Sequence, residues 1–274
     1  MKIMIDYFIK LAYTKIYHHL GEPIMKIIQN IPGMAKLCLT LRHLNNYKRQ
    51  IEDAKAKGDY ERERLNIKQA EDVWANNVMK MFGSELTVHG RENIPEKGPL
   101  VFVGNHQGYA DIISYCAALS PSLAFAYVAK DDLGKLPLYG EWIRRIRSVL
   151  IKRNDPRASL KAIDEGIELI KLGFSLMIFP EGTRSKGPEM GDFKRGAFKL
   201  ATKPEVPIVP VSVNGSYKMF EESGFLKGAK IDVMIHPAVE TKGLSRQEEK
   251  QMCLDVEKTV RDGVEQLRKL QGEV

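Results

Sequence analysis

The chain has 274 residues, of which 43% are hydrophobic and 28% charged, so it is long enough to bury a substantial core and has an ordinary globular composition. Its three cysteines are widely spaced, which argues against a disulfide framework and matches no metal-ligand spacing. The formal net charge of +7 favours an anionic partner: nucleic acid, a membrane surface or an acidic protein.

The N-terminal segment, residues 1–41, combines apolar and basic side chains. Read as a helix, its first part, MKIMIDYFIKLAYTKIY, has an apolar stripe beside lysines, as in helices that lie in a lipid interface. The alternative is a helix that docks on the protein's own core. Nucleic acid fits less well, because no recognised binding motif accompanies the charge. No apolar run reaches the roughly 18 residues of a membrane-spanning helix, and no signal-peptide cleavage pattern is visible.

Residues 42–82 predict a helical hairpin that turns at Lys57 and Gly58, with Asp59 capping its second helix. We interpret residues 1–84 as an N-terminal helical region for membrane association and residues 85–274 as an α/β domain. Helical spacing predicts one buried edge on the second helix of the hairpin, formed by Ile67, Ala70, Trp74, Asn77, Val78 and Met81.

From Glu85 onward, short β-rich runs alternate with helices. Asp155 and Pro156 open one helix as its cap and first residue, and Ser245 with Glu248 has the capping-box spacing of another, which continues to about residue 270. Several strands are apolar throughout, which predicts a mostly parallel or mixed sheet flanked by helices, with its chemistry at the carboxyl ends of the strands. Seven runs predict strands: ELTVHG, PLVFVGN, LAFAYVAK, SVLIKR, FSLMIFP, VPIVPVSVNG and KIDVMIHPAV.

The segment NHQGYAD, at the end of the second predicted strand, places His106 five positions before Asp111. A neutral imidazole can take a proton from a hydroxyl, and it does so better when a carboxylate holds its other nitrogen. No serine or cysteine is obviously placed as a nucleophile, so this pair would activate a hydroxyl of the substrate. The alternatives are a helix cap beside an incidental histidine, or a metal site, which lacks a third ligand at helical spacing.

The loop FPEGTRSKG, residues 179–187, forms a second candidate site at a strand end. Gly182 allows the backbone to approach a ligand closely, Thr183 supplies a hydroxyl, and the planar fork of Arg184 suits a phosphate. The alternative is a solvated basic loop in which Glu181 pairs with Arg184.

Two other predicted strands carry candidate features. Lys152 and Arg153 end the strand SVLIKR and are a plausible binding site for an anion, or ordinary surface charge. Pro207 and Pro210 interrupt VPIVPVSVNG. Because a central strand tolerates proline badly, we predict that this strand lies at an edge of the sheet or wraps a pocket.

Taken in order, these motifs resemble the glycerolipid acyltransferase family, closest to the 1-acylglycerol-3-phosphate (lysophosphatidic acid) acyltransferases. NHQGYAD matches the N-H-x4-D block of the family, SVLIKR its second block, FPEGTRS its third and VPIVPV its fourth, over roughly residues 85–215. The chain departs from the family at Gly108, where serine is common, and at Ser148 and Leu150, where glycine and an aromatic residue are common. These departures concern acceptor selectivity more than reaction type.

The resemblance implies that His106 deprotonates the sn-2 hydroxyl of lysophosphatidic acid while Asp111 holds the imidazole ring. The hydroxyl oxygen would attack an acyl thioester, either acyl-coenzyme A or an acylated carrier protein, and phosphatidic acid would form in phospholipid biosynthesis. No metal and no further cofactor is implied. The residues implied in substrate binding are Lys152, Arg153, Glu181, Gly182, Thr183 and Arg184.

We expect a peripheral protein on an anionic lipid surface at the cytoplasmic face of the cell membrane, and no nucleic-acid partner. Three alternatives stay open. In the first, the acceptor is glycerol 3-phosphate or another lysophospholipid. In the second, the protein is a non-catalytic module that binds lipid phosphates. In the third, it hydrolyses the thioester with water.

Overall fold

The structure, a computed structural model, describes residues 28–37, 39–136, 138–152 and 155–274. Residues 28–37 and 39–42 are helical. The helices that follow are α1 (Asn45–Ala56), α2 (Tyr60–Phe82), α3 (Asp111–Leu119), α4 (Tyr139–Arg145), α5 (Pro156–Lys171), α6 (Lys199–Thr202) and α7 (Arg246–Leu270). The strands are β1 (Glu85–His89), β2 (Val101–Gly104), β3 (Phe125–Lys130), β4 (Val149–Ile151), β5 (Ser175–Ile178), β6 (Ile208–Asn214) and β7 (Lys230–Ile235).

The seven strands form one sheet in the order β1-β7-β6-β2-β5-β3-β4. Neighbouring strands run parallel, except that β6 and β7 are antiparallel. The predicted α/β fold with a mixed sheet is therefore confirmed, and each of the seven predicted runs contains a strand. Because β2 and β5 are parallel neighbours, with Val103 opposite Ile178, the loops that follow them leave the sheet at the same edge.

The prediction that β6 lies at an edge of the sheet is wrong. β6 pairs with β2 on one side and with β7 on the other, and all seven of its residues are buried. The Pro210 carbonyl accepts a hydrogen bond from His236 N (2.9 Å), just after β7 ends at Ile235; pairing then resumes at a bridge between Ile208 and Val239. The N–H that proline lacks thus falls in a break between β6 and β7, where it costs no regular strand hydrogen bond.

The predicted hairpin is formed by α1 and α2. The Asp59 side chain caps α2 by accepting a hydrogen bond from Arg62 N (3.0 Å). The predicted buried edge is wrong at Asn77, which is exposed, and at Met81, which is half-buried. Because α2 packs against both α1 and α3, its buried face is wider than one helical stripe and also includes Glu63, Asn66, Glu71, Ala75 and Met79.

The other two helix starts agree with their sequence signals. Asp155 accepts a hydrogen bond from Ala158 N (3.0 Å) at the start of α5, and Ser245 with Glu248 forms a reciprocal capping box at the start of α7. Trp74 from the hairpin shares a hydrophobic core with the sheet, so α2 packs directly on the α/β layer. The division of the chain between residues 84 and 85 remains a prediction.

The predicted membrane-attachment segment lies only partly within the described residues. Residues 1–27 and Cys38 lie outside them. The helical residues that are described expose apolar side chains at Ile28, Ile31, Met34 and Leu39. Within the described part of the chain, no helix combines the length and the hydropathy needed to cross a membrane.

Candidate active site

His106 and Asp111 contact each other at the carboxyl edge of the sheet. β2 ends at Gly104 and α3 begins at Asp111, and the loop between them turns the two side chains together. Nδ1 of His106 lies 2.6 Å from Oδ2 of Asp111, and the two side chains are 11% and 0% exposed. Because the carboxylate oxygen is an acceptor, the hydrogen belongs on Nδ1. Nε2 is then the nitrogen that can take a proton from a substrate.

Both carboxylate oxygens of Asp111 have donors. Oδ2 also accepts a hydrogen bond from Gly108 N (2.9 Å), and Oδ1 accepts one from the hydroxyl of Ser216. Ser216 begins a short 3₁₀ turn directly after β6, so the strand next to β2 supplies this donor. Three donors around one buried carboxylate fix its orientation.

The position of His106 depends on the residue before it. The pairing of β2 with β6 ends at Gly104, and the Asn105 side chain continues it: Nδ2 donates to Val213 O (3.0 Å), and Val213 N donates to Oδ1 (2.8 Å). The Tyr115 hydroxyl donates to Asn105 O (3.0 Å). The Asn105 side chain thus extends the strand pairing by one residue. This role explains why the apolar run ends in asparagine directly before His106.

The loop after β5 packs against His106. The Phe179 ring stacks on the imidazole, with ring centres 4.2 Å apart and an angle of 12° between the planes. Glu181 accepts hydrogen bonds from His106 N (2.7 Å) and Gly191 N (2.8 Å), and Ser185 N donates to His106 O (2.7 Å). Burial raises the pKa of Glu181, and these two N–H donors oppose the rise. Glu181 thus connects the backbone of the NHQGYAD loop with that of the loop after β5.

Arg184 does not pair with Glu181, as the solvated-loop alternative required. Its Nη1 lies 2.6 Å from Oε1 of Glu221, and its guanidinium carbon lies 3.6 Å from the centre of the Tyr109 ring. The Arg184 side chain is 24% exposed. Neither Glu221 nor Ser216 belongs to a sequence motif, and both approach the site only because β6 packs beside β2, so the sequence did not predict either residue.

Gly182 and Thr183 lie beside these contacts. Gly182 has φ of +72°, and a Cβ there would come 2.7 Å from Lys194 Nζ, so glycine suits both the backbone and the space. Its N–H donates to Phe179 O (3.0 Å) and is therefore not available to bind an oxyanion. Thr183 is exposed.

Lys152 is not brought to the pair. It follows β4 at the far edge of the sheet, and β3 and β5 lie between β4 and β2. Because strands are about 4.8 Å apart, its backbone is roughly 14 Å from the end of β2. Arg153 lies outside the described residues. A role of either residue in phosphate binding stays a prediction.

Comparison with known proteins shows which family the central part of the chain resembles. A model of the acyltransferase family matches residues 85–214, which run from the start of β1 to the end of β6. Over these residues the chain is similar to the acyltransferase family. The resemblance predicted from the motifs is confirmed, and the matched region contains both the His106–Asp111 pair and the loop that carries Arg184.

Two relatives of the chain share one description. The chain is 36% identical over 170 residues to a chloroplast 1-acyl-sn-glycerol-3-phosphate acyltransferase of Brassica napus, covering 61% of this chain and 48% of that protein. It is 33% identical to a 1-acyl-sn-glycerol-3-phosphate acyltransferase of Pseudomonas aeruginosa, covering 62% of this chain and 65% of that protein. The chain spans about half the length of the plant relatives it matches.

A solved structure shares the fold. The crystal structure of the lysophosphatidic acid acyltransferase PlsC from Thermotoga maritima aligns with a TM-score of 0.67 at 27% identity. The alignment covers 89% of this chain and 98% of that one, so the similarity extends well beyond the matched family region.

Proposed function

We propose that this protein is an O-acyltransferase that transfers a fatty acyl group from an acyl thioester to the sn-2 hydroxyl of 1-acylglycerol 3-phosphate, giving phosphatidic acid in phospholipid biosynthesis. The observation that carries the proposal is the 2.6 Å contact between His106 Nδ1 and Asp111 Oδ2, next to the loop that holds Arg184. The similarity to 1-acyl-sn-glycerol-3-phosphate acyltransferases supports the same reaction and acceptor.

In the proposed mechanism, Nε2 of His106 removes the proton of the acceptor hydroxyl as its oxygen attacks the thioester carbonyl. The carbon–sulfur bond then breaks, and the proton on the imidazolium passes to the leaving thiolate. Asp111 holds the ring in the reactive tautomer and stabilises the imidazolium while it exists. A general base of this kind is typically worth ~10²–10⁴ in rate, and positioning of the substrates supplies the rest.

Arg184 is the proposed contact for the phosphate of the acceptor. Its guanidinium is partly exposed and lies beside the NHQGYAD loop through its contact with Tyr109, so a phosphate bound there would hold the glycerol close to His106. Gly182 and Thr183 would line the approach to the site. Lys152 and Arg153 remain candidates for a more distant anionic group, such as a phosphate of the acyl donor.

For the acyl donor we propose either acyl-coenzyme A or an acylated carrier protein, with no cofactor beyond this co-substrate. We further propose peripheral attachment to the cytoplasmic face of the cell membrane. Ile28, Ile31 and Met34 recur every three residues on a helix and are all exposed, which suits contact with lipid.

The test of the reaction is product analysis by mass spectrometry with the purified protein. Lysophosphatidic acid, glycerol 3-phosphate and other lysophospholipids are each offered with each donor type. Phosphatidic acid from lysophosphatidic acid is the expected product; free fatty acid would instead indicate a hydrolase, and no turnover with retained lipid binding would indicate a binding module.

His106→Ala should lower the rate of transfer by about 10²–10⁴. His89→Ala is the matched control, because it removes another histidine that contacts an aspartate, Asp232, at 3.1 Å. Transfer at the wild-type rate by the His106 variant would overturn the mechanism.

Attachment to the membrane is tested separately. Ile31→Glu should weaken flotation with vesicles that contain anionic lipid, whereas Gln29→Glu adds the same charge on another face of the helix and should have little effect. Equal flotation of the two variants would contradict the proposed contact.

A further inference from the structure

The partner of Arg184 is a buried carboxylate. The Glu221 side chain is only 4% exposed, although it follows the 3₁₀ turn that begins at Ser216. Its Oε1 accepts two hydrogen bonds, one from Arg184 Nη1 (2.6 Å) and one from Tyr109 N (2.8 Å). We call these two donors the anion site. Both donors bind Oε1 of Glu221, and the guanidinium of Arg184 lies over the face of the Tyr109 ring.

The other oxygen of Glu221 is not satisfied. Oε2 is buried, and among the described residues it has no hydrogen-bond partner. A buried acceptor without a partner destabilises the arrangement that contains it, and more so when the group is charged. The unsatisfied Oε2 therefore weakens the binding of this carboxylate at the anion site.

Gly108 makes room for this carboxylate. A Cβ at position 108 would overlap Oε2 of Glu221, so a serine, which is common there in the resembling family, does not fit without movement of the glutamate. The space that the Glu221 carboxylate occupies thus explains why this chain has glycine at position 108, where the family commonly has serine.

The anion site adjoins the catalytic pair. Gly108 N donates to Asp111, and the next backbone N–H, that of Tyr109, donates to Glu221. A phosphate monoester offers three charged oxygens where the carboxylate offers two, and a guanidinium fork together with a backbone N–H matches such a group well. A phosphate at the anion site would lie next to the loop that positions the general base.

We propose that Glu221 is an internal ligand of the anion site and that the phosphate of the acceptor displaces it, so that Glu221 sets the affinity of this protein for phosphate-bearing acceptors. The proposal rests on the proposed function, in which Arg184 binds the acceptor phosphate. Each binding event must break the contact between Glu221 and Arg184, and this weakens acceptor binding relative to a site without the glutamate.

Glu221→Gln tests the proposal. The amide oxygen can still accept the two hydrogen bonds, but it carries no charge that competes with phosphate. Because a charge-assisted hydrogen bond is about twice as strong as a neutral one, we expect the KM for lysophosphatidic acid to fall about fivefold or more. The KM for the acyl donor, measured in the same experiment, is the internal reference. Glu222→Gln is the matched control: it removes the same charge from the next residue, whose carboxylate pairs with Lys227 (2.9 Å) near the surface, and should leave both KM values unchanged.

A second measurement needs no turnover. Inorganic phosphate should raise the Tm of Glu221→Gln more than that of the wild type. In Arg184→Gln, phosphate should no longer raise the Tm. If Glu221→Gln does not fold, Glu221→Asp replaces it, because the shorter side chain withdraws the carboxylate from Arg184 and predicts the same direction.

An unchanged acceptor KM in Glu221→Gln would overturn the proposal, and so would a raised one, which would mean that Glu221 holds Arg184 in place for the substrate. Failure of the wild type to form phosphatidic acid would instead overturn the proposed function, and the phosphate-induced shift in Tm would still test the anion site.

Discussion

Helix α3 begins beside one buried carboxylate and ends beside another, and the two differ in their hydrogen bonds. At its first residue, Asp111 accepts hydrogen bonds from His106, Gly108 and Ser216. Just past its end, the Ser120 hydroxyl donates to Oε2 of Glu71 (3.2 Å), while Oε1 of Glu71 is buried without a hydrogen-bond partner among the described residues.

Burial does not distinguish these two acids, because Asp111 is 0% and Glu71 1% exposed. The number and the placement of their hydrogen-bond donors distinguish the two acids. Burial raises the pKa of Glu71 well above its ordinary value, and the hydrogen bond from Ser120 only partly opposes the rise. Asp111, in contrast, has hydrogen-bond donors on both of its oxygens. One helix thus connects an acid whose two oxygens are both hydrogen-bonded at the site with an acid that burial shifts toward its neutral form in the core.

The largest effect should come from removing the charge of Asp111. In Asp111→Asn the shape is kept, but an amide cannot accept every hydrogen bond that the carboxylate accepts, and the imidazole loses the partner that selects its tautomer. By analogy with the loss of the aspartate from hydrolase triads, we expect kcat to fall about 10³–10⁴-fold. Steady-state kinetics measures this, and Asp232→Asn, in the other pair of histidine and aspartate, is the control. A kcat within tenfold of the wild-type value would mean that the carboxylate contributes little to the chemistry.

A smaller effect should follow from removing one donor to Asp111. Ser216→Ala deletes the hydroxyl that bonds Oδ1, and because a hydrogen bond to a charged group is worth about 1.5 kcal/mol or more, kcat should fall roughly tenfold. Both KM values should hold, and Ser216→Thr, which keeps a hydroxyl, should recover part of the rate. Ser212→Ala is the matched control: Ser212 is equally buried but bonds His236 and Val260 O. A similar loss of kcat in both variants would indicate a general packing defect.

Sequence patterns predicted the elements that carry the site, because strands and helices leave local signals such as the Asp59 cap and the Ser245 capping box. They also placed His106, Asp111 and Arg184 at strand ends that the sheet brings together. Glu221 and Ser216 left no such signal, since each reaches the site through the pairing of β6 with β2. The wrong prediction that β6 lies at an edge of the sheet has the same origin, because the break in strand pairing that accommodates Pro210 belongs to the neighbouring strand, β7.

The smallest effect concerns the other end of α3 and the stability of the fold. An acid whose pKa is raised in the folded state binds more protons there than in the unfolded chain, so the free energy of unfolding falls as pH rises above the ordinary pKa of 4.5. Glu71→Gln removes this titration. From pH 5 upward the wild type should therefore lose stability relative to the variant, by at most about 1.4 kcal/mol per pH unit, until Glu71 ionises in the folded protein.

Urea unfolding at a series of pH values measures the difference, with Glu61→Gln on the exposed face of α2 as the control that should run parallel to the wild type. A wild-type curve parallel to that of Glu71→Gln would mean that Glu71 keeps its charge despite its burial. The number of hydrogen-bond donors would then not separate Glu71 from Asp111.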